Sequence, residues 1–287
     1  MKNSQTLGLC WGSIPGGSLI DIARAAGENG LAAIAITAGH YFDAIEAGMT
    51  DAGLRSQLGA FGVRVSVIDP LMGPLPGIPP MADIAPAMQR FFTYTEAQCR
   101  RAAQETGAMT INLAHFLGKP TEMDRLRDVV AGIAERNHAA GHETTFEFIP
   151  GTGVPDLATA IDVCAASPHA RVMFDTWHFA RSDGTVEQLR ALPSGAIGGM
   201  QLSDRVPPAP GEAYVPMSGR LCPGEGVLPL PQILAAIERN SPGLDVCMEV
   251  FSDPLKAMGW TAASLRMAET GRSVMADADR ELAQHAA

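Results

Sequence analysis

The sequence predicts one (β/α)8 TIM barrel over residues 1–287. Eight short apolar runs alternate with helix-like segments, the pattern of parallel βαβ units. The 287 residues spread over eight such units give roughly 36 each, in the range of these barrels. The rival doubly wound sheet calls for a Gly-rich dinucleotide fingerprint after the first strand. There the chain has only Gly12-Ser-Ile-Pro-Gly16-Gly17, with the wrong spacing, and in Gly151-Thr-Gly153 after the fifth run Asp156 stands where the third glycine belongs.

Leu7–Trp11 reads as the first strand, and Leu19, Ile22 and Ala26 repeat at helical spacing until Gly30. Leu31–Thr37 is a second buried strand, followed by a helix-like Phe42–Leu58, and Val63–Ile68 is a third. Asp69–Ala85 is rich in Pro and Gly and long for a connection inside a compact domain, so it reads as a lid or binding loop. Helix-like sequence then runs to Gly107, and Met109–Leu113 is strand four, followed by Ala114 and His115.

The next helix carries Met123, Leu126, Val130 and Ile133 on one face, and Thr121-Glu-Met-Asp124 resembles a capping box at its start. Strand five ends at Glu147, and Leu157, Ile161 and Cys164 mark the helix after it. Strand six, Val172–Phe174, emerges at Asp175, which places His178 in the loop just beyond. Ala196–Leu202 is strand seven and leads into a second long Pro/Gly loop, Pro207–Gly226. Leu230, Ile233, Leu234 and Ile237 mark a helix, Leu244–Glu249 is strand eight, and a helical segment from about Thr261 closes the chain.

A composition of 46% hydrophobic and 18% charged residues suits a sizeable buried core. The net charge of −10 and pI near 5.1 argue against a nucleic-acid partner, which would meet a basic face. Five cysteines without C-x-x-C spacing suggest neither a disulfide framework nor a zinc-thiolate site. With no signal-peptide pattern ahead of the first strand, a reducing cytoplasm is the expectation. No run approaches the ~20 apolar residues of a membrane span, so no membrane partner is expected.

In a barrel, side chains at the C-terminal strand ends converge on one mouth. Glu147, Asp175, Gln201 and Glu249 fall at the ends of strands five to eight. Three carboxylates so close would repel one another unless a cation compensated or their pKa values rose strongly. Oxygen-dominated ligands favour Mn²⁺ or Mg²⁺, allow Co²⁺, and do not exclude Zn²⁺. His178 is positioned to hydrogen-bond a carbonyl or hydroxyl, or else packs the loop. The Arg220 fork suits a carboxylate, a phosphate or paired oxygens, or is simply solvated. His115, just past strand four, is a candidate substrate contact. Asp204 is a support for the site or a turn cap, and Trp11 and Trp177 are walls of the pocket or ordinary packing.

The set Phe-Glu147-Phe-Ile-Pro, Phe-Asp175-Thr-Trp-His178-Phe, Met-Gln201-Leu-Ser-Asp204, Arg220-Leu-Cys-Pro-Gly-Glu-Gly226 and Met-Glu249-Val-Phe resembles the sugar phosphate isomerase/epimerase superfamily of xylose isomerase-like TIM barrels. The match is close over strands five to eight and holds only in outline before them. The resemblance implies that Glu147, Asp175, Gln201 and Glu249 hold one divalent metal ion. It also implies that Glu147 and Glu249 form the acid/base pair, and that His178 and Arg220 contact substrate. Many members carry His where this chain has Gln201, whereas the hydroxypyruvate isomerase branch has Gln. That departure weakens a match to the ketose epimerases and argues against a zinc preference.

The implied activity is isomerisation or epimerisation of a small sugar, polyol-ketone or hydroxy-keto acid through an enediolate. A dehydratase of the inosose or 3-dehydroshikimate type uses the same proton abstraction, expelling a hydroxyl β to the abstracted proton. An endonuclease-IV-type phosphodiesterase would need a His-rich site and a basic groove, against seven His and the negative net charge. A non-catalytic sugar-binding barrel is the remaining reading, one that has no need of three convergent carboxylates. The expected partner is a small sugar-like molecule, and a homo-oligomer is compatible with the sequence.

Overall fold

The computed structural model describes residues 3–207, 209, 211–213 and 215–284. Eight parallel strands close into a barrel in sequence order. They are β1 (Thr6–Cys10), β2 (Ala33–Ile36), β3 (Arg64–Leu71), β4 (Thr110–Ala114), β5 (Glu143–Glu147), β6 (Ala170–Asp175), β7 (Ile197–Leu202) and β8 (Asp245–Met248). The barrel closes where β1 pairs with β8, Thr6 opposite Asp245 and Leu9 opposite Met248.

Strands covered on both faces need apolar residues at nearly every position, which is why they read as continuous runs rather than alternating ones. One face of each strand packs outward: Leu9, Ile34, Val65, Ile111, Phe146, Val172 and Val246 join the inner faces of the helices in one core. The other face fills the barrel with a smaller set, Cys10, Ala35, Val67, Met173 and Cys247. Gly199 belongs to this interior layer because a Cβ there would lie 2.7 Å from Met173 Cε. Side chains two residues further along a strand point the same way. Moving on by two from Val67, Thr145, Met173, Gly199 and Cys247 gives Asp69, Glu147, Asp175, Gln201 and Glu249, so the interior layer sets the direction of the polar residues above it.

The helices are α1 (Leu19–Glu28), α2 (Ala38–Glu46), α3 (Asp51–Ala60), α4 (Pro86–Phe92), α5 (Glu96–Thr106), α6 (Met123–Ala139), α7 (Leu157–Cys164), α8 (Thr176–Arg181), α9 (Val186–Arg190), α10 (Leu230–Asn240), α11 (Asp253–Met258) and α12 (Trp260–Gln284). No helix among the described residues is long and apolar enough to cross a membrane.

Four elements differ from the sequence expectation. The predicted Phe42–Leu58 helix is two helices, because Gly48 takes a φ of 92° and the Thr50 side chain caps a new start at α3. Asp69 and Pro70 belong to β3 rather than to a loop. The register against β4 shifts between Ile68 and Leu71, as expected where a proline cannot donate to the ladder. The Thr121 capping box does not form: Glu122 precedes the first turn of α6, without a side-chain cap, and the residue three beyond it is Arg125, which cannot accept the reciprocal bond. His178 lies in α8 rather than in a loop, because Asp175 caps that helix by accepting from the Trp177 and His178 amides.

Candidate active site

The carboxylate ends of β5, β6 and β8 meet in one buried cluster at the C-terminal mouth. Glu147 closes β5, and its Oε2 accepts a 3.2 Å hydrogen bond from Asn112 Nδ2 while Oε1 lies 3.1 Å from His178 Nε2. Asp175 closes β6. Its Oδ1 accepts the Trp177 amide at 2.6 Å, and its Oδ2 lies 2.8 Å from Arg220 Nη1 and 3.4 Å from His178 Nε2. Glu249, one residue past β8, accepts from Cys10 Sγ at 3.1 Å through Oε1 and faces Arg220 Nη1 at 3.0 Å through Oε2. Gln201 on β7 stands opposite Asp175 in the ladder, and its Nε2 lies 3.2 Å from both Asp69 Oδ2 and Glu249 Oε1.

Asp69 is the site residue missed in the sequence. Its Oδ1 accepts Asn112 Nδ2 at 2.7 Å, and its Oδ2 accepts Trp11 Nε1 at 3.2 Å in addition to Gln201. The stretch Val65-Ser-Val-Ile-Asp69 carries the same signal as strands five and six, an apolar run ending in a carboxylate. Pro70 disguised it as the start of a loop. Cys10 likewise gave no signal beyond being a small apolar residue at a strand end.

The buried mouth thus holds four carboxylates, Asp69, Glu147, Asp175 and Glu249, against one buried guanidinium, Arg220. The imbalance appears in their protonation. Burial, with the charges of Asp69 and Asp175, pushes Glu147 well above the usual carboxylate range. Burial raises Glu249 to about 8 despite Arg220, and it raises Asp69 against the hydrogen bonds of Asn112 and Trp11. Asp175 is the exception: burial alone would raise it, but Arg220, His178 and the Trp177 amide hold it below its ordinary value. Burial lowers His178 to about 4, so the ring is neutral at ordinary pH.

Arg220 is 2% exposed. Its Nε and Nη2 donate to the Pro216 carbonyl at 3.2 and 3.0 Å, and its guanidinium carbon lies 5.8 Å from the Trp177 ring and 5.2 Å from the Phe251 ring. Asp204 fixes the loop that supplies it. Its carboxylate accepts the amides of Gly224, Gly226 and Leu228, each at 3.0 Å, and its backbone pairs with Leu221. A Cβ at Gly226 would come 2.1 Å from the Arg205 carbonyl oxygen, so only glycine lets the loop approach this closely. Asp204 is therefore a loop clasp.

Both long connections reach the mouth. Pro70 at the end of β3, Met72 just beyond it, Met88 and Phe91 of α4, and Pro216, Met217 and Arg220 of the second loop line a cavity of about 60 Å³ that also meets Trp11, Asp69, Glu147, His178, Gln201, Glu249 and Phe251. Positions 208, 210 and 214 of the second loop lie outside the described residues. His115 does not line this cavity. It is fully buried, with Nε2 2.8 Å from the Pro76 carbonyl, and a Cβ on Gly118 or Gly153 would strike its ring. Its place is a clasp between loops, while its neighbours Ala114, the last residue of β4, and Phe116, just beyond the strand, reach the cavity.

The residues fit a divalent cation. Glu147, Asp175 and His178 can converge on one ion, as can Cys10, Asp69 and Glu249. Gln201 Oε1 is buried without a hydrogen-bond partner, although a buried amide oxygen ordinarily finds one. Metal coordination would satisfy that oxygen and offset the surplus of negative charge.

By sequence alone, no curated protein matches the chain. The profile of the family described as xylose isomerase-like TIM barrel matches residues 22–271. Among solved structures, the IolI protein with a bound zinc atom superposes with a TM-score of 0.78 at 14% identity, covering 94% of this chain and 98% of that one. An L-ribulose 3-epimerase gives 0.70 at 16% identity, covering 98% and 97%. A fusion of a xylose isomerase-like TIM barrel with a 4-hydroxyphenylpyruvate dioxygenase gives 0.78 at 14% identity, covering 98% of this chain and 44% of the fusion.

Proposed function

The chain belongs to the xylose isomerase-like TIM barrel family, and from that premise we propose that it is a divalent-metal-dependent isomerase or epimerase of a small sugar, polyol-ketone or hydroxy-keto acid. The observation that carries the reading is the pair Glu147 and Glu249. Both line one cavity, both are buried, and both have raised proton affinity. Two carboxyl groups on different strands facing one substrate carbon allow one to remove a proton while the other returns it.

Glu147, Asp175, Gln201 and Glu249 would hold the ion, with Mn²⁺ or Mg²⁺ favoured by the oxygen donors. When bound, the ion supplies a Lewis acid that polarises the substrate carbonyl and lowers the proton affinity of the surrounding carboxylates. The chain supplies the rest. Glu147 and Glu249 exchange protons with the substrate carbon. Neutral His178 has one ring N–H, which Nε2 directs at Glu147 and Asp175, so the ring orients those carboxylates and meets substrate along the cavity wall. Arg220 keeps Asp175 ionised and fixes the Glu249 carboxylate. Trp11, Phe91 and Phe251 exclude water from the carbanionic intermediate.

The test is proton NMR in D₂O of Mn²⁺- or Mg²⁺-loaded protein with a panel of ketoses and hydroxy-keto acids. The expected result is loss of a carbon-bound proton next to the carbonyl and growth of an isomer or epimer. Metal-loaded protein that exchanges no such proton in any member of the panel would sink the assignment, and release of a dehydrated product would move it to the lyases.

A further inference from the structure

Gln201 stands where a metal ligand must present oxygen, yet an amide can be turned either way about its last torsion. A histidine ligand has its orientation set by the hydrogen bond its second nitrogen makes, and an amide needs an equivalent restraint. Two carboxylates provide one here. The Nε2 group of Gln201 lies 3.2 Å from Asp69 Oδ2 and 3.2 Å from Glu249 Oε1. Its two N–H bonds are therefore directed at Asp69 and Glu249, and Oε1, on the opposite side of the amide, is the buried atom left without a partner.

We infer that Asp69 is a positioning residue that locks the Gln201 amide with its oxygen toward the ion. The inference rests on the metal reading given above and extends it to a residue outside the ligand set. Glu249 is divided among several groups, its Oε1 accepting from Cys10 as well as Gln201 and its Oε2 facing Arg220. Asp69 has no cationic partner of its own among its three contacts. Asn112, Trp11 and Gln201 all approach it as donors, and this makes both of its oxygens acceptors. In Asp69→Asn one acceptor oxygen becomes an N–H donor, so either the Asn112 contact at Oδ1 or the Trp11 and Gln201 contacts at Oδ2 are lost.

The test is the affinity of chelator-treated protein for Mn²⁺ alone, followed by electron paramagnetic resonance, with folding checked by circular dichroism. Asp69→Asn should weaken Mn²⁺ binding about 10–100-fold, the usual effect of losing a group that orients a ligand. Asp69→Ser should do the same and serves if the asparagine variant does not fold. In a Gln201→Ala background, where no amide remains to be oriented, Asp69→Asn should add no further loss. Losses that add in the double variant would mean that Asp69 acts on the ion directly, and unchanged affinity in both single variants would mean that it does not act; either overturns the inference. Wild-type protein that binds no Mn²⁺ would instead overturn the metal reading beneath it, a distinct result.

Discussion

Arg220 and Asp175 are joined by a 2.8 Å contact between Nη1 and Oδ2, with both side chains almost wholly buried. The same Nη1 also faces Glu249 at 3.0 Å, so one cation serves two carboxylates on different strands. Removing one partner of a buried pair leaves an uncompensated charge, which costs roughly 3–5 kcal/mol. Arg220→Ala should lose stability of that order in urea denaturation at neutral pH. Arg220→Lys should recover only part of it, since an ammonium cannot reproduce the fork that also reaches the Pro216 carbonyl. A wild-type midpoint for the alanine variant would refute the pairing.

Glu147→Gln and Glu249→Gln should each lower turnover by about 10²–10⁴-fold, the usual worth of a positioned proton carrier. Metal content must be measured first, because each residue is also a proposed ligand. One single variant should still exchange the substrate proton with solvent deuterium while forming no epimer. A metal-replete double variant that exchanges at the wild-type rate would transfer the base role elsewhere, with His178, 3.1 Å from Glu147, next in reach.

Metal binding should release protons. Glu249 has its pKa raised from 4.5 to about 8 by burial, and a ligand must shed its proton before coordinating. Apparent Mn²⁺ affinity should therefore climb about tenfold per pH unit for each displaced proton between pH 6.5 and 8. Without metal the sign reverses. A carboxyl whose pKa is raised on folding stabilises the fold below its unfolded value, and that contribution is lost as pH rises through the folded value. Glu147 and Asp69 act in the same direction. His178, lowered to about 4, acts oppositely, but its change is complete above its ordinary value of 6.5. Thermal melts of metal-free protein should thus fall from pH 6.5 to 9 while Mn²⁺-loaded melts hold. Parallel curves would show that the ion does not replace these protons.

Asp204→Ala should loosen the second loop without touching the cavity. Its carboxylate satisfies the amides of Arg205, Gly224, Gly226 and Leu228, and leaving such donors unmade costs on the order of 1–3 kcal/mol. Amide hydrogen exchange at residues 221–228 should accelerate, and KM should rise as Arg220 loses its support. Unchanged exchange in that segment would mean that the loop is held by something other than Asp204.

The barrel was legible in the sequence because its strands, covered on both faces, cannot hide their apolar runs. The ends of β5 to β8 were legible for a related reason: Glu147, Asp175 and Gln201 each interrupt such a run at its last inward position. Asp69 obeys the same rule but escaped, since Pro70 behind it carries a local turn signal that outweighs the two-residue period. His115 packs beneath the loops instead of entering the mouth. A histidine one residue past a strand can point under a loop as readily as into the mouth, and that choice belongs to Gly118 and Gly153, which pack on its ring. The split between α2 and α3 turned on a single left-handed glycine, which leaves the hydrophobic spacing on either side almost unchanged. Asp204 and Arg220 gained their roles only from tertiary contact.

The seam between β1 and β8 has a consequence for how the molecule comes to exist. The Cys10 thiol and the Glu249 carboxylate meet across 239 positions of chain, and β8 reaches its neighbour β1 only after everything between has been made. Contacts of such long sequence separation form slowly and late. During synthesis, then, the growing chain carries Asp69, Glu147 and Asp175 without Arg220 or Glu249, and their mutual repulsion is deferred until the ring shuts. In refolding experiments the appearance of Mn²⁺ affinity should lag behind helix formation and coincide with closure of the ring, which makes the ion a clock for the last topological step rather than a seed for the first.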